Sequence, residues 1–149
     1  MSDAEIMCEL HYRDPEAALA WLNRAFGFET ELLVTDRDGR LVFARAGWRG
    51  VAVGVVGEAA PMGMSPASLQ GAGAQALQVR FDEDLDAHLA RARAAGAVIV
   101  REPRQEFYGD LTYVAADLEG HVWMFGQRVP GAGGPPPDGW TVQLTRARP

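Results

Sequence analysis

The chain repeats itself. Sliding the sequence along itself by 70 positions sets Asp14 on Asp84, Ala17 on Ala87 and Leu19 on Leu89. Further on, Leu41 meets Leu111, Phe43 meets Tyr113, Ala46 meets Ala116 and Gly50 meets Gly120. Each copy opens on a segment alternating with period two, Ile6, Cys8, Leu10 and Tyr12 in the first and Leu77, Val79 and Phe81 in the second. Such alternation puts one apolar face on a strand. A stretch with helical spacing follows, then three further strand-like segments. The repeat therefore predicts two strand–helix–three-strand modules sharing a core.

Local chemistry agrees with that reading. Asp14-Pro15-Glu16 is a helix start, with a capping carboxylate, a proline at the first helical position and an acid favouring the positive end of the dipole. Leu19, Leu22, Ala25 and Phe26 form an apolar stripe and Gly27 stops the helix. In the second copy Asp84 precedes Leu85, Leu89, Ala92 and Ala95, and Gly96 ends the run. Asp38-Gly39 predicts a hairpin turn, and VAVGVV at 51–56 and HVWMFG at 121–126 predict the closing strands.

Module boundaries follow at 1–56 and 76–128, joined by a connector at 57–75 that is rich in Gly, Ala, Pro and Ser. A loop of that length is long for a compact domain unless it also covers a site. Residues 129–149 read as a Gly/Pro-rich tail, disordered with a weakly docked Trp140, although WTVQLT at 140–145 alternates like a strand.

Composition narrows the function classes. With 48% hydrophobic and 23% charged residues, and no apolar run near the roughly 20 residues that span a bilayer, the chain reads as an ordinary globular protein. MSDAEIMCEL lacks the basic and apolar parts of a secretory signal, which points to the cytoplasm. Cys8 is the only cysteine, so neither an internal disulfide nor a thiolate zinc cluster is expected. A net charge of −6 argues against nucleic acid as a partner. The two RAR clusters, at 91–93 and 146–148, read as solvated faces. Cys8 alternates with the helix-facing residues and reads as a buried hydrophobe. His88, within a charged helix, reads as exposed.

HYRDPEAALAWLNRAFGFE near the start and YGDLTYVAADLEGHVWMFG near the end together resemble the vicinal oxygen chelate superfamily of glyoxalases, bleomycin-resistance proteins and extradiol dioxygenases. The likeness spans residues 5–128 and includes the repeat, the AFGF helix end and a D-x-x-G-H-x-W signature. It implies an α+β fold in which two βαβββ modules form curved mixed sheets around a cleft, with helices on the outer face and the chain usually in a homodimer. Metal-dependent members carry ligands on the first and last strand of each module. The corresponding positions here are Met7, Gly54, Ala76 and Met124. None offers imidazole or carboxylate to a divalent cation, so neither a metal nor another cofactor is expected.

Under that architecture Met7, Glu9 and His11 share the cleft face of one strand, and Ala76, Gln78 and Arg80 that of its counterpart, with Val122 and Met124 beside them. Glu9, His11, Gln78 and Arg80 then stand as polar groups on an apolar wall, the composition of a small-molecule pocket. His11 with Glu9 also fits acid–base chemistry. Against both stands a structural reading, with Glu9 and Arg80 paired across the halves and His11 solvated. Tyr108, Asp110 and Trp48 sit in loops suited to the cleft mouth, where aromatic rings stack on a planar ligand or seal a dimer. His121 reads as bonded to Asp117 or a carbonyl, and Trp123 as core. No nucleophile elbow, HExxH or phosphate loop is present. Three functions stay open: a metal-independent binder that sequesters an antibiotic or aromatic metabolite, a glyoxalase-, isomerase- or dioxygenase-like enzyme, and a regulatory module. An acidic balance favours a cationic ligand, though only weakly.

Overall fold

Both modules form as the repeat predicts. The computed structural model describes residues 3–59, 61–73 and 75–144. The first half builds β1 (Cys8–Tyr12), α1 (Pro15–Phe26), β2 (Glu29–Thr35), β3 (Leu41–Trp48) and β4 (Val51–Gly57). The second builds β5 (Ala76–Phe81), α2 (Leu85–Ala94), β6 (Val98–Gln105), β7 (Asp110–Ala116) and β8 (Val122–Arg128). Each half is a four-stranded mixed sheet, ordered β1-β4-β3-β2 and β5-β8-β7-β6. The first strand of each module runs parallel to the last, with Glu9 opposite Gly54 and Gln78 opposite Met124.

The helix ends obey the local signals unequally. The Asp14 carboxylate accepts from Ala17 N at 3.0 Å, and Gly27 ends α1 at φ 82 in the left-handed region that favours glycine. Asp84 does not cap α2. It is itself left-handed at φ 70, and the free N–H of Leu85 is met instead by Gln127 Oε1 of β8 at 3.0 Å. At the predicted hairpin Gly39 is left-handed at φ 78, and the Asp36 carboxylate accepts from the backbone of Asp38 and Arg40.

One apolar core serves both modules. Ala18, Trp21, Leu22, Ala25 and Phe26 bury a single face of α1, whereas Glu16, Ala20 and Arg24 are exposed. The helices thus lie on the outside of the sheets and meet each other there. Phe26 reaches across to Trp123 and Phe125 of the second sheet, with ring centroids 5.3 and 4.8 Å away. Trp21 Nε1 donates to the Ala95 carbonyl at 2.9 Å. Arg91, read as part of a solvated cluster, donates to the carbonyls of Asn23 and Arg24 and so closes the C-terminal end of α1. The second cluster, at 146–148, lies outside the described residues.

The connector is not a plain breaker. Ala59 and Gly63 exchange backbone hydrogen bonds, and Pro66–Leu69 form a short 3-10 helix. That helix is tied down by Ser65, whose hydroxyl donates to Glu119 Oε1 at 2.6 Å, and by Arg13, which donates to Ser68 Oγ and the Ala67 carbonyl. The tail also departs from the disordered reading. Val129 N bonds the Gly109 carbonyl and Gly134 N the Phe107 carbonyl, so this segment is stitched to the β6–β7 turn. Trp140 is weakly docked, 64% exposed with its ring 6.2 Å from Phe107. The described part of WTVQLT, residues 140–144, is not a strand. Among the described residues no helix is long and apolar enough to cross a membrane.

Candidate functional site

The connector folds over β1 and closes a hollow of about 360 Å³. Its walls come from both modules. Glu9 and His11 come from the first module and Leu77 from the second, and Met62, Met64, Leu69 and Gln75 come from the connector. His121 shuts one end, its Nε2 donating to the His11 carbonyl at 2.9 Å while its ring packs edge-on against Tyr12. A second hollow, also about 360 Å³, shares Glu9, His11 and Met62 and continues along the sheet to Glu58 and Val56.

His11 is the residue these hollows organise around. It is 8% exposed, not solvated at a strand end as the structural reading expected. Its side chain makes no hydrogen bond among the described residues, while its carbonyl accepts from His121. A Cβ at position 63 would overlap the imidazole, so glycine there lets the connector lie directly on the ring. Beside it, Glu58 Oε1 accepts from the Ser68 hydroxyl at 2.6 Å, but Oε2 is buried without a partner. Glu58 was invisible to strand alternation because it lies in the first residue after β4, on a path set by the connector.

The other predicted site residues lie elsewhere. Arg80 does not pair with Glu9. It makes a bidentate pair with Asp110 at 2.6 and 2.9 Å, and Asp110 is 2% exposed rather than offered at a cleft mouth. Tyr108 is exposed beside this pair, over a separate depression floored by the docked tail. Met124 touches Arg101, whose Nη2 lies 3.8 Å from its sulfur, while Gln78 is exposed opposite it. Arg101 also donates to Thr112 Oγ1, and Thr112 to Glu106, so this face of the second sheet is a closed polar network. Burial pushes the Glu106 carboxyl up, yet hydrogen bonds from Thr112 and Arg104 and the nearby guanidiniums bring it below its ordinary value. Trp48 packs edge-on against Phe81 at 5.0 Å, at the junction of the modules.

Two expectations about lone residues fail. Cys8 is exposed at the start of β1, whereas Leu10 and Tyr12 of the same alternation are buried. Its thiol is pushed up, first by partial desolvation and then by the Glu9 carboxylate, which disfavours a thiolate nucleophile. His88 is buried, not exposed. Tyr113 OH lies 2.7 Å from Nδ1, and Nε2 donates to the Phe26 carbonyl at 3.0 Å, fixing the neutral tautomer. Its spacing from Leu85 and Leu89 was the available signal, since i, i+3 and i+4 share a helix face. As for metal chemistry, the strand register corrects the expected positions: Gly54 lies opposite Glu9 rather than Met7, and Met124 opposite Gln78 rather than Ala76, so Glu9 is the one carboxylate of that set. That donor set does not fit a divalent cation. Among the described residues no group of three His, Cys, Asp or Glu side chains is placed to hold one.

A pair of βαβββ modules with outer helices, one shared core and a ligand-sized hollow along the first strand defines a glyoxalase-type protein. The chain belongs to the Glyoxalase/Bleomycin resistance protein/Dioxygenase superfamily, whose model matches residues 6–125. Among solved structures it is similar to TioX from Micromonospora sp. ML1, at 34% identity over 83% of this chain and 95% of that one, with a TM-score of 0.65. It also resembles TnmS3, an antibiotic binding protein from Streptomyces sp. CB03234, at 20% identity, covering 86% and 98%, with a TM-score of 0.67. A third likeness is to FosX, a fosfomycin resistance protein from Listeria monocytogenes, at 14% identity, covering 89% and 98%, with a TM-score of 0.64. No curated protein sequence matches it.

Proposed function

We propose that this protein is a metal-independent small-molecule binder of the cytoplasm that sequesters a partly apolar ligand, an antibiotic or an aromatic metabolite, and works as a homodimer. The observation that carries the reading is the hollow under the anchored connector, lined by Met62, Met64, Leu69 and Leu77 with Glu9 and His11 as polar anchors. About 300–1,000 Å³ of mostly apolar wall with a few polar groups is what a small ligand needs. The likeness to TnmS3, an antibiotic binding protein, supports the same class, as does that to FosX, a fosfomycin resistance protein. Binding alone requires no reactive group, which suits a site whose thiol is held protonated.

A thermal-shift screen of planar antibiotics and aromatic metabolites tests this. At least one compound is expected to raise the melting temperature of the wild type and to lose that effect in Gly63→Val, where the new side chain displaces the His11 ring. A screen without any stabilising compound, or one whose hits ignore Gly63→Val, would contradict it.

A second reading, acid–base catalysis, is favoured by one observation: His11 is shielded, unpartnered and in the same hollow as Glu9. It predicts turnover of a bound compound that is abolished by His11→Gln while binding persists.

A further inference from the structure

We propose that the site selects an organic cation: an amine, protonated at neutral pH, carried on an apolar or aromatic body. This rests on the ligand-binding reading and adds the charge of the ligand to it. Two carboxylates, Glu9 and Glu58, flank His11 in the second hollow, and neither hollow is lined by an arginine. The one nearby guanidinium, Arg13, is 3.9 Å from Glu58 Oε1 and donates from Nε to Ser68 Oγ and from Nη2 to the Ala67 carbonyl.

Glu58 Oε2 is buried with no donor to meet it, which leaves the negative charge of this lining residue under-compensated. His11 is more than nine-tenths buried, has no side-chain partner and lines both hollows. Its imidazole adds a ring nitrogen able to accept an N–H whenever the ring is neutral. An ammonium brings three donors and a positive charge to two carboxylates and an imidazole. A carboxylate or phosphate in that place would meet two like charges, with Arg13 the one guanidinium nearby and outside both linings. The thioethers of Met62 and Met64 and the side chain of Leu69 supply the soft, adaptable wall for the hydrocarbon part.

The test is calorimetric titration of three probes sharing one body: 2-naphthylmethylamine, 2-naphthylmethanol and 2-naphthoate. On the wild type the amine is expected to bind at least tenfold more tightly than the alcohol, and naphthoate most weakly. Glu58→Gln should cut amine affinity about tenfold and leave the alcohol unchanged. Glu9→Gln, at an exposed position where folding is not at risk, should weaken the amine in the same direction. Met62→Ala should weaken amine and alcohol alike. Equal or tighter binding of the alcohol or of naphthoate, or an amine affinity indifferent to both glutamine variants, overturns the proposal while leaving a small-molecule site in place. Failure of all three probes also overturns it, and the wider binding reading is then decided by the separate compound screen.

Discussion

At the scale of single residues, His88 carries the clearest pH signature. Burial pushes its pKa from 6.5 down to about 4, the Phe26 carbonyl bond opposes this, and the charges of Arg49 and Arg91 add to the lowering. The folded state therefore holds a neutral ring where the unfolded chain would take up a proton. Stability from this residue is complete above pH 6.5 and is lost as the pH falls toward 4. At about 1.4 kcal/mol per pKa unit the loss amounts to roughly 3 kcal/mol. Urea unfolding of the wild type between pH 7 and pH 4 should show it, and His88→Phe should flatten the slope. An unchanged slope in the variant would place the titration elsewhere. Sequence reading misplaced this histidine because its neighbours Asp86 and Arg91 are charged, whereas its helical phase with Leu85 and Leu89 was the stronger information. Glu9 and His11 were legible from strand alternation. The partners of Arg80 and the orphaned oxygen of Glu58 were not, since both depend on where distant segments cross.

At the scale of elements, one carboxylate fastens three parts of the fold. Asp117 Oδ1 accepts from the backbone of Glu119 and His121, shaping the β7–β8 turn. Its Oδ2 accepts from Tyr12 OH at 2.7 Å and Trp123 Nε1 at 3.2 Å, tying β1 to β8 in the buried core. The Tyr12 hydroxyl is held well above its ordinary pKa, by burial first and by Asp117 next, so it remains a donor. Asp117→Asn keeps the volume but turns an amide N–H₂ toward two donors. Leaving such groups unmet costs about 1–3 kcal/mol, and a loss in that range is expected from denaturant titration. A variant as stable as the wild type would show that the turn alone matters. The turn was visible in D-x-x-G-H-x-W; the reach of the same aspartate to Tyr12, 105 positions earlier, was not. Helices and strands were legible because caps, glycines and periodicity act locally, and the repeat checked each half against the other. The connector was the exception, its order coming from Arg13 and Glu119 in other elements.

For the whole molecule, the outer strands are the unfinished part. Every residue of β2 is exposed, and Leu32, Leu33 and Val34 are about half exposed, as are Val98 and Val100 of β6. Apolar edge strands left open invite pairing with another chain. If they form the dimer contact, Leu33→Glu should convert a dimer to a monomer in sedimentation equilibrium without loss of helix signal. A wild type that stays monomeric at micromolar concentration, or a variant that stays dimeric, would count against this. The most direct measurement of where a ligand sits is a co-crystal structure with the best stabilising compound from the screen. The prediction is density between β1 and the connector, in contact with His11 and roofed by Met62 and Met64. Density confined to the Arg80–Asp110 face or to the Trp48 junction, with the connector hollow empty, would contradict it.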